Sequence, residues 1–351
     1  MRCKGCLKDI TLGNYCPKCK KELFSGVNVK PLEFDKAAFY KAQTELADRL
    51  SISGVQDKIS LKLEGNRLVP TATLGEYILK PVPASDHLNH KEDIAANEHI
   101  SMQISKQIFG IDTAPSGLIP FSDGELAYIT KRFDYAQDGT KLDQEDFASV
   151  LQYTEVSRGR NYKYASSYEE MAIAIKRFVP TSRVTLESFY MRIVYNYLIA
   201  NGDAHLKNFS LYRPEHRQDY TLTPSYDLLY TRYHVNETEG DMGLDLFKEY
   251  ESASFEALGF YSLEDFEHFA KLLEIPQKRL VKIFQKIVTT PSHVTELVER
   301  SYLSEAGKVA YIENYTKRLK SSLCYTIGGD YSYDSAVRSV IEDLFGTTLA
   351  Q

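Results

Sequence analysis

The 351-residue sequence lacks long apolar runs, and it lacks a net positive charge. No window approaches the roughly 20 apolar residues of a membrane-spanning helix, and the N-terminus MRCKGC has no apolar signal-peptide core. A formal net charge of −6, with 26% charged residues, argues against a dedicated nucleic-acid binder. We therefore expect a cytoplasmic globular protein without membrane association, and at this length more than one structural unit.

Cysteine is scarce, but its placement is informative. Four of the five cysteines form two C-x-x-C pairs within CKGCLKDITLGNYCPKC. In a reducing compartment this arrangement favours metal binding over disulfides, and four thiolates match tetrahedral zinc with no open position for catalysis. We predict a linker over residues 23–34, after a structural zinc knuckle in residues 1–22 whose ligands are Cys3, Cys6, Cys16 and Cys19.

Between residues 35 and 135 the sequence mixes strand and helix patterns. The strand-like segments are ISLKL, RLVPTAT, EYILKPV and ELAYITKRF, and helical spacing of apolar residues occurs at 35–48 and 91–109. These patterns predict a small α/β lobe.

Residues 136–351 are dominated by helical patterns. Apolar residues recur at helical spacing in 167–178, 185–200 and most of 262–322. The polar stretch NGDAHLKNFSLY and a predicted hairpin that returns at LTPSYDLLY interrupt these helices. The expected fold class is therefore α+β, with two lobes of which the second is mostly helical.

The polar stretch holds more reactive side chains than a turn requires. Asp203 and Asn208 have the D-x-x-x-x-N spacing of a kinase catalytic loop, in which the aspartate accepts the acceptor's proton and the asparagine binds Mg²⁺. Alternatively, both side chains only cap a helix end. Asp227, further along in SYDLL, favours the kinase interpretation, because Mg²⁺ usually takes one or two carboxylates plus phosphate oxygens.

A cation for nucleotide phosphates is predicted at the end of EYILK. Lys80 ends this apolar segment, although a strand-end lysine often only extends to water. Glu98 lies between Ile94 and Met102 on an apolar helical stripe, where a charge is costly unless it is paired. We therefore predict a Lys80–Glu98 ion pair that orients a phosphate-binding lysine.

The stretch SISGVQDK, residues 51–58, precedes the first strand, where kinases place the loop that covers the phosphates. Because Gly54 is its only glycine, the motif is weak. Backbone N–H groups of the turn, together with Ser53 and Lys58, could still hold phosphate.

Seven motifs in this chain resemble, in order, those of HipA-family serine/threonine kinases, the toxins of bacterial toxin–antitoxin systems. They are SISGVQDK, YILKP, ANEH, KRFDY, QEDF, NGDAHLKN and YDLL. The resemblance implies a two-lobed protein-kinase-like fold and the use of ATP and Mg²⁺. It also implies that the substrate is an aminoacyl-tRNA synthetase, whose phosphorylation would inhibit translation and arrest growth.

The resemblance further assigns roles to matching residues. Asp203 would be the catalytic base, with His205 and Lys207 supporting the loop, and Asn208 and Asp227 would bind Mg²⁺. The other ATP-binding positions would be Ser53, Gly54, Val55, Gln56, Asp57, Lys58, Lys80, Glu98, Lys131, Phe133, His205 and Tyr226, with Lys131 contributing only its backbone.

The same resemblance bears on regulation and partners. In the family, the serine at the position of Ser51 is autophosphorylated, which expels the loop and switches the kinase off, and Ser53 is a second candidate here. Short HipT-like members also carry Ser-Ile-Ser, and a separate small HipS-like protein replaces the subdomain that precedes the loop in longer members. The implied partners are a HipB-like helix-turn-helix antitoxin, DNA only through that antitoxin, and a HipS-like protein.

Two other functions stay open. A small-molecule phosphotransferase acting on an antibiotic or a sugar alcohol would use the same residues, although it has no need of modifiable serines in its phosphate loop. A non-catalytic nucleotide-binding scaffold with a zinc knuckle is disfavoured, because Lys80, Asp203, Asn208 and Asp227 are all present.

Overall fold

The structure, a computed structural model, describes residues 1–47, 57–136, 138–235 and 242–322. Most of the predicted phosphate loop, including Ser51, Ser53, Gly54, Val55 and Gln56, lies outside the described residues, so its predicted roles stay predictions. Within the described ranges, no helix has both the length and the apolar character needed to cross a membrane.

The first lobe is built on a five-stranded antiparallel sheet with the order β2-β1-β3-β5-β4. Four of its strands match predicted segments. The fourth strand was not predicted, because its short sequence SGLIP contains glycine and proline, which are depleted in strands and tolerated here at the sheet edge. The strands are β1 (Ile59–Glu64), β2 (Arg67–Pro70), β3 (Tyr77–Lys80), β4 (Ser116–Pro120) and β5 (Leu126–Lys131).

The N-terminal segment packs onto this sheet through α1 (Pro17–Phe24) and α2 (Lys36–Ala47). Phe24, Val29 and Leu32 are buried in the same hydrophobic cluster as sheet residues. The stretch 23–34, predicted to be a linker, is therefore a packed part of the lobe, because its apolar side chains help to cover the sheet. The other predicted domain boundaries stay predictions.

Helix α3 (Ile94–Ile104) contacts β4 and β5 and continues into a π-helical turn at Ser105–Phe109. All of its residues are buried. A helix that is buried all round must be covered on more than one side, and here the second lobe supplies the remaining cover.

The second lobe is mostly helical, as predicted. A small sheet, β6-β7-β8, lies beside its helices and consists of Gln144–Asp146, Ser210–Tyr212 and Thr221–Leu222, and the pairing of β7 with β8 confirms the predicted hairpin. The helices are α4 (Phe147–Val150), α5 (Glu155–Arg158), α6 (Tyr168–Phe178), α7 (Ser182–Leu198), α8 (Ala253–Leu258), α9 (Leu263–Leu272), α10 (Gln277–Val288), α11 (Thr290–Glu299) and α12 (Glu305–Ser322).

One hydrophobic core joins α3 to the second lobe. Ile100 and Met102 of α3 belong to the same buried cluster as residues of α7 and α12. Tyr195 of α7 donates a hydrogen bond of 2.5 Å to the carbonyl of Ser101, and the Ser101 hydroxyl lies 3.0 Å from the Tyr311 hydroxyl of α12. Helix α3 is thus held between the lobes.

Candidate active site

The predicted catalytic loop follows directly after α7. The backbone turns at Ala200, whose φ is 52°, and the Thr231 hydroxyl accepts from Gly202 N at 2.8 Å while donating to Ala200 O at 3.1 Å. A Cβ added to Gly243 would lie 2.6 Å from backbone atoms of Ala204. Thr231 and Gly243 therefore shape the loop, although the sequence patterns around them do not indicate this.

The Asp203 carboxylate is half exposed and contacts the side chains of Tyr164 and His205. Tyr164 donates a hydrogen bond to its Oδ1, and His205 Nε2 lies 3.5 Å from the same oxygen. Burial lowers the pKa of His205 from its ordinary value, which favours the neutral form of its ring. Sequence reasoning missed Tyr164, because it lies 39 residues before Asp203 and outside any motif used in the prediction.

Asn208 is tied to the same loop. Its Nδ2 donates to the carbonyl of Asp203 at 2.6 Å, and its own N–H donates to His205 O at 2.9 Å. The side-chain bond uses the amide nitrogen, so the amide oxygen is the atom suited to Mg²⁺.

Asp227 lies beyond β8 in a left-handed backbone conformation, with a φ of 54°. The side chain of Asn201 links it to the catalytic loop: Nδ2 donates to Asp227 O at 3.3 Å, and Oδ1 accepts from Asp203 N at 3.3 Å. The two predicted aspartates are therefore held by one asparagine.

Lys80, at the end of β3, contacts two carboxylates of the site, those of Glu98 and Asp227. Its ammonium lies 2.7 Å from Glu98 Oε1 and also contacts Asp227 Oδ1. Lys80 and Glu98 are both buried, and the Tyr128 ring lies 5.6 Å from the ammonium. The predicted Lys80–Glu98 ion pair is present, and it extends to the carboxylate predicted to bind metal.

One ammonium is thus shared by two carboxylates, which explains the charge states. Burial raises the pKa of Glu98 to about 7, because Lys80 only partly offsets the loss of water. Burial opposes the charge of Lys80, but Asp227 and Glu98 together outweigh it and raise the pKa of Lys80. For Asp227, whose side chain is 38% exposed, Lys80 overcomes the effect of burial and lowers the pKa. The lysine stays charged, and Glu98 is the less well neutralised carboxylate.

Lys58, from the end of the predicted phosphate loop, also lies near this group. Burial lowers its pKa, while the negative charges of Asp227 and Glu98 act in the opposite direction. Its neighbour Asp57 accepts hydrogen bonds of 3.3 Å from Tyr40 and Gln43 of α2. The described end of the loop is therefore fixed by α2 and brings a second cation toward Lys80.

Two aromatic residues predicted to bind ATP also lie close together. The rings of Phe133 and Tyr226 are 5.6 Å apart, and the Tyr226 hydroxyl donates to Lys207 O at 3.2 Å and lies 2.7 Å from Ser210 Oγ. The Lys131 side chain instead donates to Ser25 Oγ at 2.9 Å. The role of Lys131 through its backbone stays a prediction.

The four knuckle cysteines form a separate cluster. Their Sγ atoms all lie within 4.8 Å of one another, and those of Cys6 and Cys16 are 3.7 Å apart. Tetrahedral zinc with Zn–S bonds of about 2.3 Å places sulfurs about 3.8 Å apart. The residues therefore fit zinc.

Comparison with known proteins identifies the family. The family model described as the HipA-like C-terminal domain matches residues 50–294. The chain belongs to this family. A relative from Haemophilus influenzae is 26% identical over 329 residues, covering 89% of this chain and 93% of its own. Another, Y4dM from Sinorhizobium fredii, is 31% identical over 313 residues, covering 83% and 71%, and both are named "Putative kinase".

A solved complex of HipA, HipB and operator DNA from Shewanella oneidensis MR-1 contains a chain with the same fold. The similarity has a TM-score of 0.54 at 18% identity and covers 83% of this chain and 70% of that one. It confirms the predicted HipA-like fold with a mixed first lobe and a helical second lobe.

Proposed function

We propose that this HipA-family chain is an ATP- and Mg²⁺-dependent serine/threonine kinase that acts as the toxin of a HipBA- or HipBST-like system. The observation that carries the proposal is the joining of Lys80, Glu98 and Asp227 into one charged group that Asn201 links to Asp203. A lysine held by a glutamate, a metal-binding aspartate and a catalytic-loop aspartate are the parts that phosphoryl transfer by kinases requires.

Each residue has a defined task in the proposed reaction. Asp203 accepts the proton of the acceptor hydroxyl as the hydroxyl oxygen attacks the γ-phosphorus, and ADP leaves as the bond to the β–γ bridging oxygen breaks. In its neutral form, His205 adds no positive charge that would pair with the base. Lys80 and Lys58 bind phosphate oxygens. Asn208 and Asp227 would hold Mg²⁺, which neutralises charge on the phosphates when bound.

Purified protein incubated with ATP, Mg²⁺ and a panel of aminoacyl-tRNA synthetases tests the activity. We expect phosphoserine or phosphothreonine on one synthetase and phosphoserine at position 51 or 53 of the chain itself, and neither with the Asp203→Asn variant. Equal phosphorylation by the variant, or transfer only to small-molecule acceptors, would contradict the proposal.

Autophosphorylation of Ser51 or Ser53 is the proposed off-switch. A phosphate adds between about 1.5 and 2 negative charges, and this loop leads directly to Asp57 and Lys58 beside the Glu98 and Asp227 carboxylates. In the proposed phosphate-covering position the added charge would be repelled by these carboxylates, so the modified loop would leave the site. Serine-to-aspartate variants at 51 and 53, made singly and together, should lower ATP affinity, and unchanged affinity would argue against the switch.

The proposed partners follow from the family. The Shewanella structure contains HipA with HipB and operator DNA, which supports a HipB-like antitoxin as the route to DNA, and the short HipT-like form suggests a small HipS-like protein as well. Expression of the chain should arrest growth, and co-expression of an adjacent helix-turn-helix gene should relieve the arrest. We also propose structural zinc at the four cysteines.

A further inference from the structure

The first loop of the knuckle, residues 2–7, presents its backbone carbonyls to the rest of the protein. Five of them accept hydrogen bonds from outside the knuckle at distances between 2.8 and 3.1 Å. The pairs are Arg2 O with Tyr302, Lys4 O with Leu118, Gly5 O with His99, Cys6 O with Gln107, and Leu7 O with Arg300.

These contacts connect three parts of the fold. Leu118 belongs to the edge strand β4, His99 and Gln107 belong to α3 and the turn that continues it, and Arg300 and Tyr302 lie between α11 and α12. One six-residue loop is therefore bonded to both lobes and to the helix between them.

The shape of this loop depends on the metal ligands. Cys3 and Cys6 flank Lys4 and Gly5, which carry two of the five carbonyls. Leu7 has a φ of 64°, a left-handed conformation that is uncommon for leucine and must be held by the surrounding structure. A Cβ on Gly5 would lie 2.6 Å from Cys19 Sγ, so the two halves of the knuckle are in close contact. Four thiolates brought this close are stabilised by a shared cation, and metal binding of this kind is coupled to local folding.

His99 connects the loop to the charged group. It follows Glu98 directly in α3, is fully buried, and bonds to Gly5 O through Nε2 at 2.8 Å, while its Nδ1 has no hydrogen-bond partner among the described residues. Burial lowers the pKa of His99 to about 4, so the ring is neutral and Nε2 carries the donated proton. Within the described part of the chain, the ring therefore has one hydrogen-bond partner, which belongs to the knuckle.

We propose that the zinc-loaded knuckle is a clamp that positions α3, and with it Glu98 against Lys80, through the His99–Gly5 hydrogen bond. Its effect on activity rests on the proposed kinase function, in which His99 is a positioning residue. Since Tyr195 and Tyr311 hold α3 from the second lobe, loss of the clamp loosens the helix without unfolding it.

Hydrogen exchange of the full-length chain tests the clamp without relying on activity. Zinc content is measured by mass spectrometry, and exchange at residues 94–104 is followed before chelation, after chelation and after zinc is restored. We expect one zinc per chain, faster exchange of α3 on chelation, and recovery with zinc. The His99→Leu variant should retain its zinc, show fast exchange in α3 at the outset and lose the response to chelation, whereas His99→Gln, which keeps an N–H donor, should restore part of it.

Ser101→Ala is the matched control, because it removes a buried α3 hydrogen bond that goes to the second lobe. This variant should keep its response to chelation. In phosphotransfer, His99→Leu should lower kcat by about tenfold to a hundredfold, the range expected when a catalytic group is misplaced by up to about 1 Å. Absence of zinc, or a chelation response confined to residues 1–24, would overturn the clamp. If hydrogen exchange of α3 in the wild type responds as expected but the protein transfers no phosphate, the proposed function is overturned instead.

Discussion

Replacing Glu98 by glutamine tests whether the buried carboxylate is ionised at a cost to stability. Glu98 is 2% exposed and shares the Lys80 ammonium with Asp227. Its pKa is raised from an ordinary 4.5 to about 7, with burial as the largest cause. Glutamine keeps the shape of the side chain and a hydrogen-bond acceptor but cannot ionise, so E98Q separates the effect of charge from that of packing.

The direction in which stability changes with pH follows from proton linkage. Below the unfolded pKa, Glu98 is neutral in both states, and between 4.5 and about 7 only the unfolded chain loses this proton. Wild-type stability therefore falls as pH rises through this interval and levels off above it. At about 1.4 kcal/mol per pKa unit, the full cost is about 3 kcal/mol. The free energy of unfolding of E98Q relative to wild type should therefore increase by about 2 kcal/mol between about pH 5.5 and pH 8. At the upper end E98Q should be more stable than wild type by about 3 kcal/mol.

Urea unfolding of both proteins at fixed zinc concentration over this pH interval measures the difference. Glu305→Gln is the control, since it makes the same chemical change at a carboxylate that is 85% exposed, and its difference from wild type should stay below about 1 kcal/mol. If E98Q is instead less stable by about 3–5 kcal/mol at every pH, as for a broken buried ion pair, the reasoning is refuted. Phosphotransfer should decrease in E98Q even where its stability increases.

Three further predictions concern the catalytic loop. Asp203→Asn should lower phosphotransfer by about 10²-fold or more with an unchanged circular dichroism spectrum, and a smaller loss in kcat would count against a base at this position. Tyr164→Phe removes the hydroxyl bonded to Asp203, which would otherwise compete with the acceptor hydroxyl for this carboxylate. The KM for the protein acceptor should therefore fall, and an unchanged KM in steady-state kinetics would exclude this competition. Gly243→Ala places a Cβ 2.6 Å from the Ala204 backbone and should destabilise the protein by about 1–3 kcal/mol in urea unfolding, and a neutral result would show that the loop can shift.

The features predicted correctly from the sequence have local causes. The periodicity of 91–109 predicted a helix, and the high free energy of an unpaired carboxylate in its apolar stripe identified Glu98 and its partner Lys80. The polar run after α7 singled out Asp203 and Asn208, which the structure ties together within one loop, because such a run is visible within a few residues of sequence. The roles of these residues in catalysis stay predictions.

The features that were missed depend on contacts distant in sequence. Strand β4 exists because β5 and the Lys4 carbonyl hold its two sides, and nothing within SGLIP indicates either contact. Tyr164, Thr231 and Gly243 are distant from the catalytic loop in the sequence and contact it only through the fold of the second lobe. The packing of 23–34 could not be separated from a linker, since short apolar segments with Pro and Gly occur in both.

The sharing of Lys80 between Glu98 and Asp227 has a consequence for the resting protein. An isolated ammonium at this depth would be strongly destabilising, yet here the cleft itself supplies two carboxylate counterions. Under the proposed function, a nucleotide phosphate would therefore exchange with an existing internal partner of Lys80 instead of neutralising an unpaired charge. The affinity for nucleotide would then depend on the free-energy difference between these two pairings.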